Sequence, residues 1–160
     1  MTSIALDALP KKDRDLVLAA RAAADRCYAP YSGFAVGAAA RDVEGRIYAG
    51  ANLENAAYGP GAHAEVSALA AANAAGAFER IEAIAIVGFK FFPSRAASEP
   101  VSPCGNCRQL LFEAAEVSGI DIEVLSCSGD LARIERMRIS ALLPKAFGPK
   151  SLAVRNPPRP

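Results

Sequence analysis

A metal site built from His63, Cys104 and Cys107 places the strongest constraint on how this chain can fold. His63 is the only histidine and stands two residues before Glu65 in Gly61-Ala62-His63-Ala64-Glu65. The cysteines lie farther along, in Ser102-Pro103-Cys104-Gly105-Asn106-Cys107-Arg108-Gln109. One imidazole and two thiolates give a tetrahedral zinc three protein ligands, and no second histidine supplies a fourth. An open fourth position is what separates a catalytic zinc from a structural one. The fold must therefore bring two distant segments to one accessible point. Glu65 adds the acid/base carboxylate with which such a site would use water. Taken singly the signals are weak: a lone C-x-x-C serves equally as a redox pair, and a lone histidine is more often structural or solvated. Cys27 and Cys127 compete for the fourth ligand position, but both sit in apolar periodic segments and read as core thiols. The conjunction favours one catalytic Zn2+ per chain.

Local patterning says how the two segments are presented. Lys11 to Cys27 reads as an amphipathic helix, with Leu16, Ala19, Ala20, Ala23, Ala24 and Cys27 on one face. Val36 to Asp42 and Arg46 to Asn52 are strand-like runs around Val43-Glu44-Gly45, a hairpin signal. Leu53 to Gly61 reads as a loop, and Ala62 to Ala75 as a helix stopped by Gly76. Ile81 to Val87 reads as a buried strand, followed by an irregular stretch to Val101. A further helix is expected to start near Pro103 with Ser102 as N-cap. Ile120 to Cys127 and Arg133 to Ile139 complete the strands. The order predicts an α/β fold in three layers, α/β/α, with a mixed sheet of about five strands. Cys104 and Cys107 share one face of a first helical turn, where the dipole favours thiolate. His63 and Glu65, two apart, diverge, so one can ligate while the other points to substrate.

Composition closes off other classes. A chain of 160 residues fits one domain, expected over 1–154 with a loose tail at 155–160. A net charge of +1 leaves no basic footprint for nucleic acid. No run approaches the roughly 18 apolar residues of a membrane span. The first ten residues lack the charged start and apolar core of a secretory signal. With two of the four cysteines at metal spacing, a reducing cytoplasmic location is expected.

His-x-Glu followed by Pro-Cys-x-x-Cys is the signature of the zinc nucleobase deaminases. Within that group the chain resembles the short, single-domain cytidine deaminases over about Tyr28 to Leu152. Four stretches carry the likeness: Tyr28 to Ala39, Asn52 to Tyr58, Pro103 to Gln109 and Leu142 to Pro149. The resemblance implies hydrolytic deamination of cytidine and 2′-deoxycytidine in pyrimidine salvage, with Glu65 catalytic. It implies that Phe34 packs near the pyrimidine and that Asn52 and Glu54 hydrogen-bond the ribose. The backbone at Ala64 would meet the base edge, and Ser102 would lie near the leaving amine. It also implies a homotetramer in which Phe147 reaches a neighbouring subunit's site. Without the resemblance, Asn52 and Glu54 read equally well as ordinary loop residues, and Phe34 and Phe147 as core. Tyr31 and Tyr58 read as packing residues around the pocket.

Two departures from the family pattern stand out. Many short members carry Cys-Ala-Glu-Arg where this chain has His63-Ala64-Glu65-Val66. Exchanging a thiolate for a neutral imidazole removes one negative charge, so losing the arginine that would offset it is electrostatically consistent. The stretch Phe89 to Pro100 is also longer than in those members, and Phe89, Phe91 and Phe92 could cover the pocket or an interface. A modified cytosine nucleoside is the alternative substrate, and a zinc-bearing binding protein without turnover is the alternative class.

Overall fold

The computed structural model describes residues 3–91 and 99–153. Helix α1 (Lys11–Ala24) is followed by the hairpin of β1 (Phe34–Asp42) and β2 (Ile47–Ala51). Helix α2 (Ala64–Ala74) leads to β3 (Ile81–Lys90), and α3 (Gly105–Ser118) leads to β4 (Glu123–Ser128). Strand β5 (Ile134–Arg138) and the short α4 (Ile139–Leu142) follow. The sheet order is β2-β1-β3-β4-β5, with only β3 and β4 parallel. That parallel pair needs a crossover, which α3 provides. The expected mixed α/β sheet between two helical layers is the one observed.

Strand β3 shows why the layers form. Its residues alternate, and both faces are buried. Ala83, Ala85, Val87 and Phe89 pack on the α1 side with Leu16, Val17 and Ala20. Ile84 and Ile86 pack on the other side with Ala68, Leu69 and Leu111. Each fully buried isoleucine or leucine contributes about 1.5–3 kcal/mol. Close approach needs small residues as well. A Cβ on Gly50 would fall 2.4 Å from the backbone nitrogen of Ala68, so α2 rests directly on β2. At the end of α2, Gly76 has φ +73 and receives the helix stop expected of it.

Several boundaries differ from expectation by one to three residues. The first helix ends at Ala24 rather than Cys27, and the helix before β3 starts at Ala64 rather than Ala62. Strand β3 runs on to Lys90 because β1 begins at Phe34 and pairs with it residue by residue. Phe89 is consequently a core residue, 1% exposed, with the Arg21 guanidinium 4.4 Å above its ring. It does not cover the pocket, and Phe91 packs against the same α1-side cluster. Phe92 and the expected tail at 155–160 lie outside the described residues.

The site end of the sheet follows from this topology. Strand β2 ends, β1 begins and β3 ends on one side, and both α2 and α3 start there. Leu53 and Ala62 exchange two 2.9 Å backbone hydrogen bonds, so the 53–61 loop is pinched shut at its base. The pinch brings Asn52 and Glu54 beside His63.

Candidate active site

The two metal-ligand segments both begin helices. His63 is the N-cap of α2 and Cys104 the N-cap of α3, each with extended backbone and no capping hydrogen bond from its side chain. An N-cap side chain ordinarily turns toward the third helical residue. In α3 that residue is Cys107, which explains why C-x-x-C at a helix start converges. The expectation of Ser102 as N-cap is therefore corrected: Cys104 holds the position, and Ser102 lies before it on the pocket wall.

Three donor atoms form a compact triangle. His63 Nδ1 lies 3.2 Å from Cys107 Sγ and 3.3 Å from Cys104 Sγ, and the sulfurs are 3.5 Å apart. A tetrahedral zinc with ordinary bond lengths would place nitrogen and sulfur about 3.5 Å apart and two sulfurs about 3.8 Å apart. The observed triangle is slightly tighter and of the right shape, and a small outward shift accommodates the ion. Among the described residues this is the one group of such side chains disposed to hold a metal ion. His63 and Cys104 are exposed and Cys107 is buried, so the fourth side of the site opens outward.

Burial first, and then the charge of Glu65, push the Cys107 thiol well above its ordinary range. The helix dipole was expected to favour the thiolate, but at Cys107 desolvation outweighs it. A bound cation reverses that balance and releases a proton. Glu65, on the first turn of α2 and 5% exposed, lines the cavity beside the Cys107 thiol. Val66 lines a separate groove with Leu69, Phe78 and Leu110.

The cavity above these groups measures about 600 Å³, within the usual range for small-molecule sites. Phe34, Asn52, Glu54, Ala64, Glu65 and Ser102 all line it, together with His63 and Cys104. Asn52 is tied to β1, where its Oδ1 accepts from Val36 N–H at 2.9 Å and its Nδ2 donates to the Phe34 carbonyl at 3.0 Å. Glu54 Oε2 accepts from the N–H groups of Tyr31 at 2.9 Å and Ser32 at 3.2 Å. The Ser32 hydroxyl foremost, and then these N–H groups against some desolvation, hold the Glu54 carboxyl below its ordinary range. It stays charged at neutral pH.

Tyr31 and Tyr58 lie around the cavity, as expected, but at 55% and 83% exposed they form its rim. Tyr58 also holds φ +57, a strained conformation for a large side chain. Phe147 is 62% exposed and does not line this chain's own cavity. Sequence reasoning missed Val36, Val101 and Gly88. A Cβ on Gly88 would come within 2.6 Å of Val101 and 2.9 Å of the Phe34 ring, so its lack of a side chain seats the aromatic wall. The available signal was a glycine inside a buried strand, which marks close approach.

Residues 10–120 match the family described as the cytidine and deoxycytidylate deaminase zinc-binding region. A cytidine deaminase of Sporosarcina psychrophila is 36% identical over 138 residues, spanning 86% of this chain and 93% of the relative. One from Halalkalibacterium halodurans is 39% identical over 134 residues, spanning 82% and 91%. The crystal structure of cytidine deaminase from Burkholderia pseudomallei superposes with a TM-score of 0.72 at 38% identity, covering 83% of this chain and 97% of that one. A matching family region, a shared fold and a His/Cys/Cys triangle under an open cavity agree, and the chain belongs to the zinc-dependent cytidine and deoxycytidylate deaminase family.

Proposed function

We propose that this chain, as one deaminase domain over 1–154, hydrolyses cytidine and 2′-deoxycytidine to uridine and 2′-deoxyuridine with release of ammonia. The observation that carries the reading is the donor triangle of His63, Cys104 and Cys107 beside buried Glu65 at a cavity of nucleoside size. Zinc, when bound there, supplies a Lewis acid that can bring the pKa of a bound water to about 7. Glu65 does the proton work. It takes a proton from water and delivers it to N3 of the ring as the hydroxide so formed adds to C4. It then takes the remaining proton of that new hydroxyl and gives it to the exocyclic nitrogen as the C4–N bond breaks, leaving the C4 carbonyl and ammonia. Burial keeps competing water away from this carboxylate.

The substrate contacts follow from placement. Phe34, seated over Gly88, offers a flat apolar wall to the pyrimidine. The charged Glu54 and the neighbouring Asn52 face the sugar, and the N–H of Ala64, at a helix start with no intrahelical partner, meets the base edge. Ser102 stands near the leaving amine. Exposed Phe147 completes a neighbouring site in a homotetramer, since leaving a large ring in water forfeits about 1.5–3 kcal/mol. Four free cysteines support a reducing, cytoplasmic setting. Among the described residues no helix is long and apolar enough to cross a membrane.

Ultraviolet monitoring of cytidine, deoxycytidine and modified cytosine nucleosides, with protein of measured zinc content, tests the substrate assignment. Turnover of the two ordinary nucleosides is expected, and turnover of a modified nucleoside alone would replace it. Mixing Glu65→Gln chains with Phe147→Ala chains tests the shared site. Activity should reappear on subunit exchange, whereas a fully active monomer by light scattering would remove the tetramer.

A further inference from the structure

The segment after α4 is laid along the metal-bearing helix. Gln109 Nε2 donates to the Phe147 carbonyl at 2.8 Å, and Lys150 Nζ pairs with Glu116 at 2.8 Å. Gly148 lies so close to α3 that an added Cβ would come within 2.6 Å of the Phe112 ring. Arg108 makes a different kind of contact. Its Nε donates to the Pro103 carbonyl at 2.7 Å, in the peptide that places Cys104. Its Nη1 donates to the Leu142 carbonyl at 3.1 Å, at the end of α4. Pro103 precedes a helix and Leu142 ends one, so neither carbonyl has an intrahelical partner. A planar guanidinium fixes the relative position of the two acceptors it holds, which a lysine ammonium does not.

We infer that Arg108 is a positioning residue that couples the metal loop at Pro103-Cys104 to the C-terminal segment carrying Phe147. The inference rests on zinc being held by His63, Cys104 and Cys107. Zinc fixes Cys104, Cys104 fixes the Pro103 carbonyl, and Arg108 carries that constraint to Leu142, from which the chain runs on to Phe147. The coupling works in both directions, because a contact that favours the docked segment when zinc is bound also favours zinc when the segment is docked. Phe147 is thus held in register with the metal by the helix that bears two of its ligands.

The test compares full-length wild type, Arg108→Lys and Gln109→Ala. Zinc affinity is measured by competition with a chromophoric chelator, and amide hydrogen exchange is followed over 143–148 with zinc bound and removed. Groups that hold a metal's ligands in place commonly account for about ten- to a hundredfold in affinity. Arg108→Lys should weaken zinc by that factor. In wild type, stripping zinc should speed exchange over 143–148; in Arg108→Lys those amides should already be fast and should not respond. Gln109→Ala, which removes a hydrogen bond to the Phe147 carbonyl but leaves the Arg108 contacts in place, should speed exchange at Phe147–Gly148 and weaken zinc far less than Arg108→Lys does. If Arg108→Lys does not fold, the wild-type exchange comparison decides alone, and unchanged exchange on stripping zinc overturns the coupling. Equal zinc affinity in wild type and Arg108→Lys overturns it too, as does a loss of zinc affinity in Gln109→Ala as large as in Arg108→Lys. A wild-type protein that takes up no zinc would instead refute the metal assignment, and this inference with it.

Discussion

The two ends of the sheet bury charge in opposite ways. At the end where α2 and α3 begin, Glu65 and Cys107 are buried next to an open cavity, and the donor triangle calls for a cation that the protein chain does not supply. At the far end, Asp13 and Arg41 are 1% and 3% exposed and these two buried charges are answered from within the chain. Arg41 Nη1 meets Asp13 at 3.0 Å and its Nε meets Glu82 at 2.7 Å. Arg136 joins Asp13 at 2.8 Å to Glu123 at 3.1 Å. The closed network ties α1 to β1, β3, β4 and β5, whereas the open one waits for metal and substrate. The same energetic cost of burying charge serves architecture where it is neutralised internally, and chemistry where neutralisation is left to a bound ion.

Breaking each end in turn should give opposite results. Cys107→Ala should abolish zinc binding and turnover together, checked by metal analysis and the ultraviolet assay. Cys27→Ala and Cys127→Ala should keep both, because these thiols sit in the α1-side core away from the triangle. Asp13→Ala should do the reverse. Arg41 would keep Glu82 as its only carboxylate, and removing its buried partner should cost at most about 3–5 kcal/mol, seen in denaturant unfolding, with zinc content retained and kcat per folded chain unchanged.

A smaller effect is expected at the cavity wall. Glu54→Gln should weaken use of cytidine by about 1.5–3 kcal/mol if the charged oxygen accepts from a ribose hydroxyl. The loss should shrink on an analogue without that hydroxyl, measured as kcat/KM for both. Equal losses would assign Glu54 solely to holding Tyr31 and Ser32.

The smallest effect concerns Asp42 in the hairpin. Desolvation pushes its carboxyl up, but the N–H groups of Arg46 and Glu44 and the Tyr48 hydroxyl outweigh it, leaving the carboxyl below its ordinary range. A folded-state value below the unfolded one means a contribution fully present above the unfolded value, near 3.9, and lost as pH falls through the folded one. Asp42→Asn should therefore flatten the acid limb of stability against pH, with little change in that dependence near neutrality.

The site end was far more legible in the sequence than the far end. His63, Glu65, Cys104 and Cys107 fall in two short motifs whose spacing itself states a coordination geometry, so no tertiary knowledge was needed to group them. The Asp13–Arg41 and Asp13–Arg136 pairs join residues 28 and 123 apart, and no local pattern marks them as partners. Arg41 stood within the strand-like run from Val36 to Asp42 with nothing local to name its partners. Boundaries failed where pairing overrode composition: β3 absorbed Phe89 because β1 offered it partners, and an aromatic expected over the pocket became core. Cys104 displaced Ser102 as N-cap because the helix begins where the ligand must turn inward. Asn52 and Glu54 were readable as polar and close in sequence, but their hydrogen bonds to β1 and to the 31–32 turn depend on a loop closed through Leu53 and Ala62.

The division between the two ends rests most directly on Glu65→Gln. The amide is nearly isosteric and keeps the fold and the donor triangle, but it cannot take up and return a proton. Zinc content and thermal midpoint are measured on the same preparation as kcat for cytidine. The expected result is unchanged zinc, an unchanged midpoint and a kcat lower by about 10²–10⁴-fold. A kcat near the wild-type value with zinc intact would contradict it and assign the proton to another group.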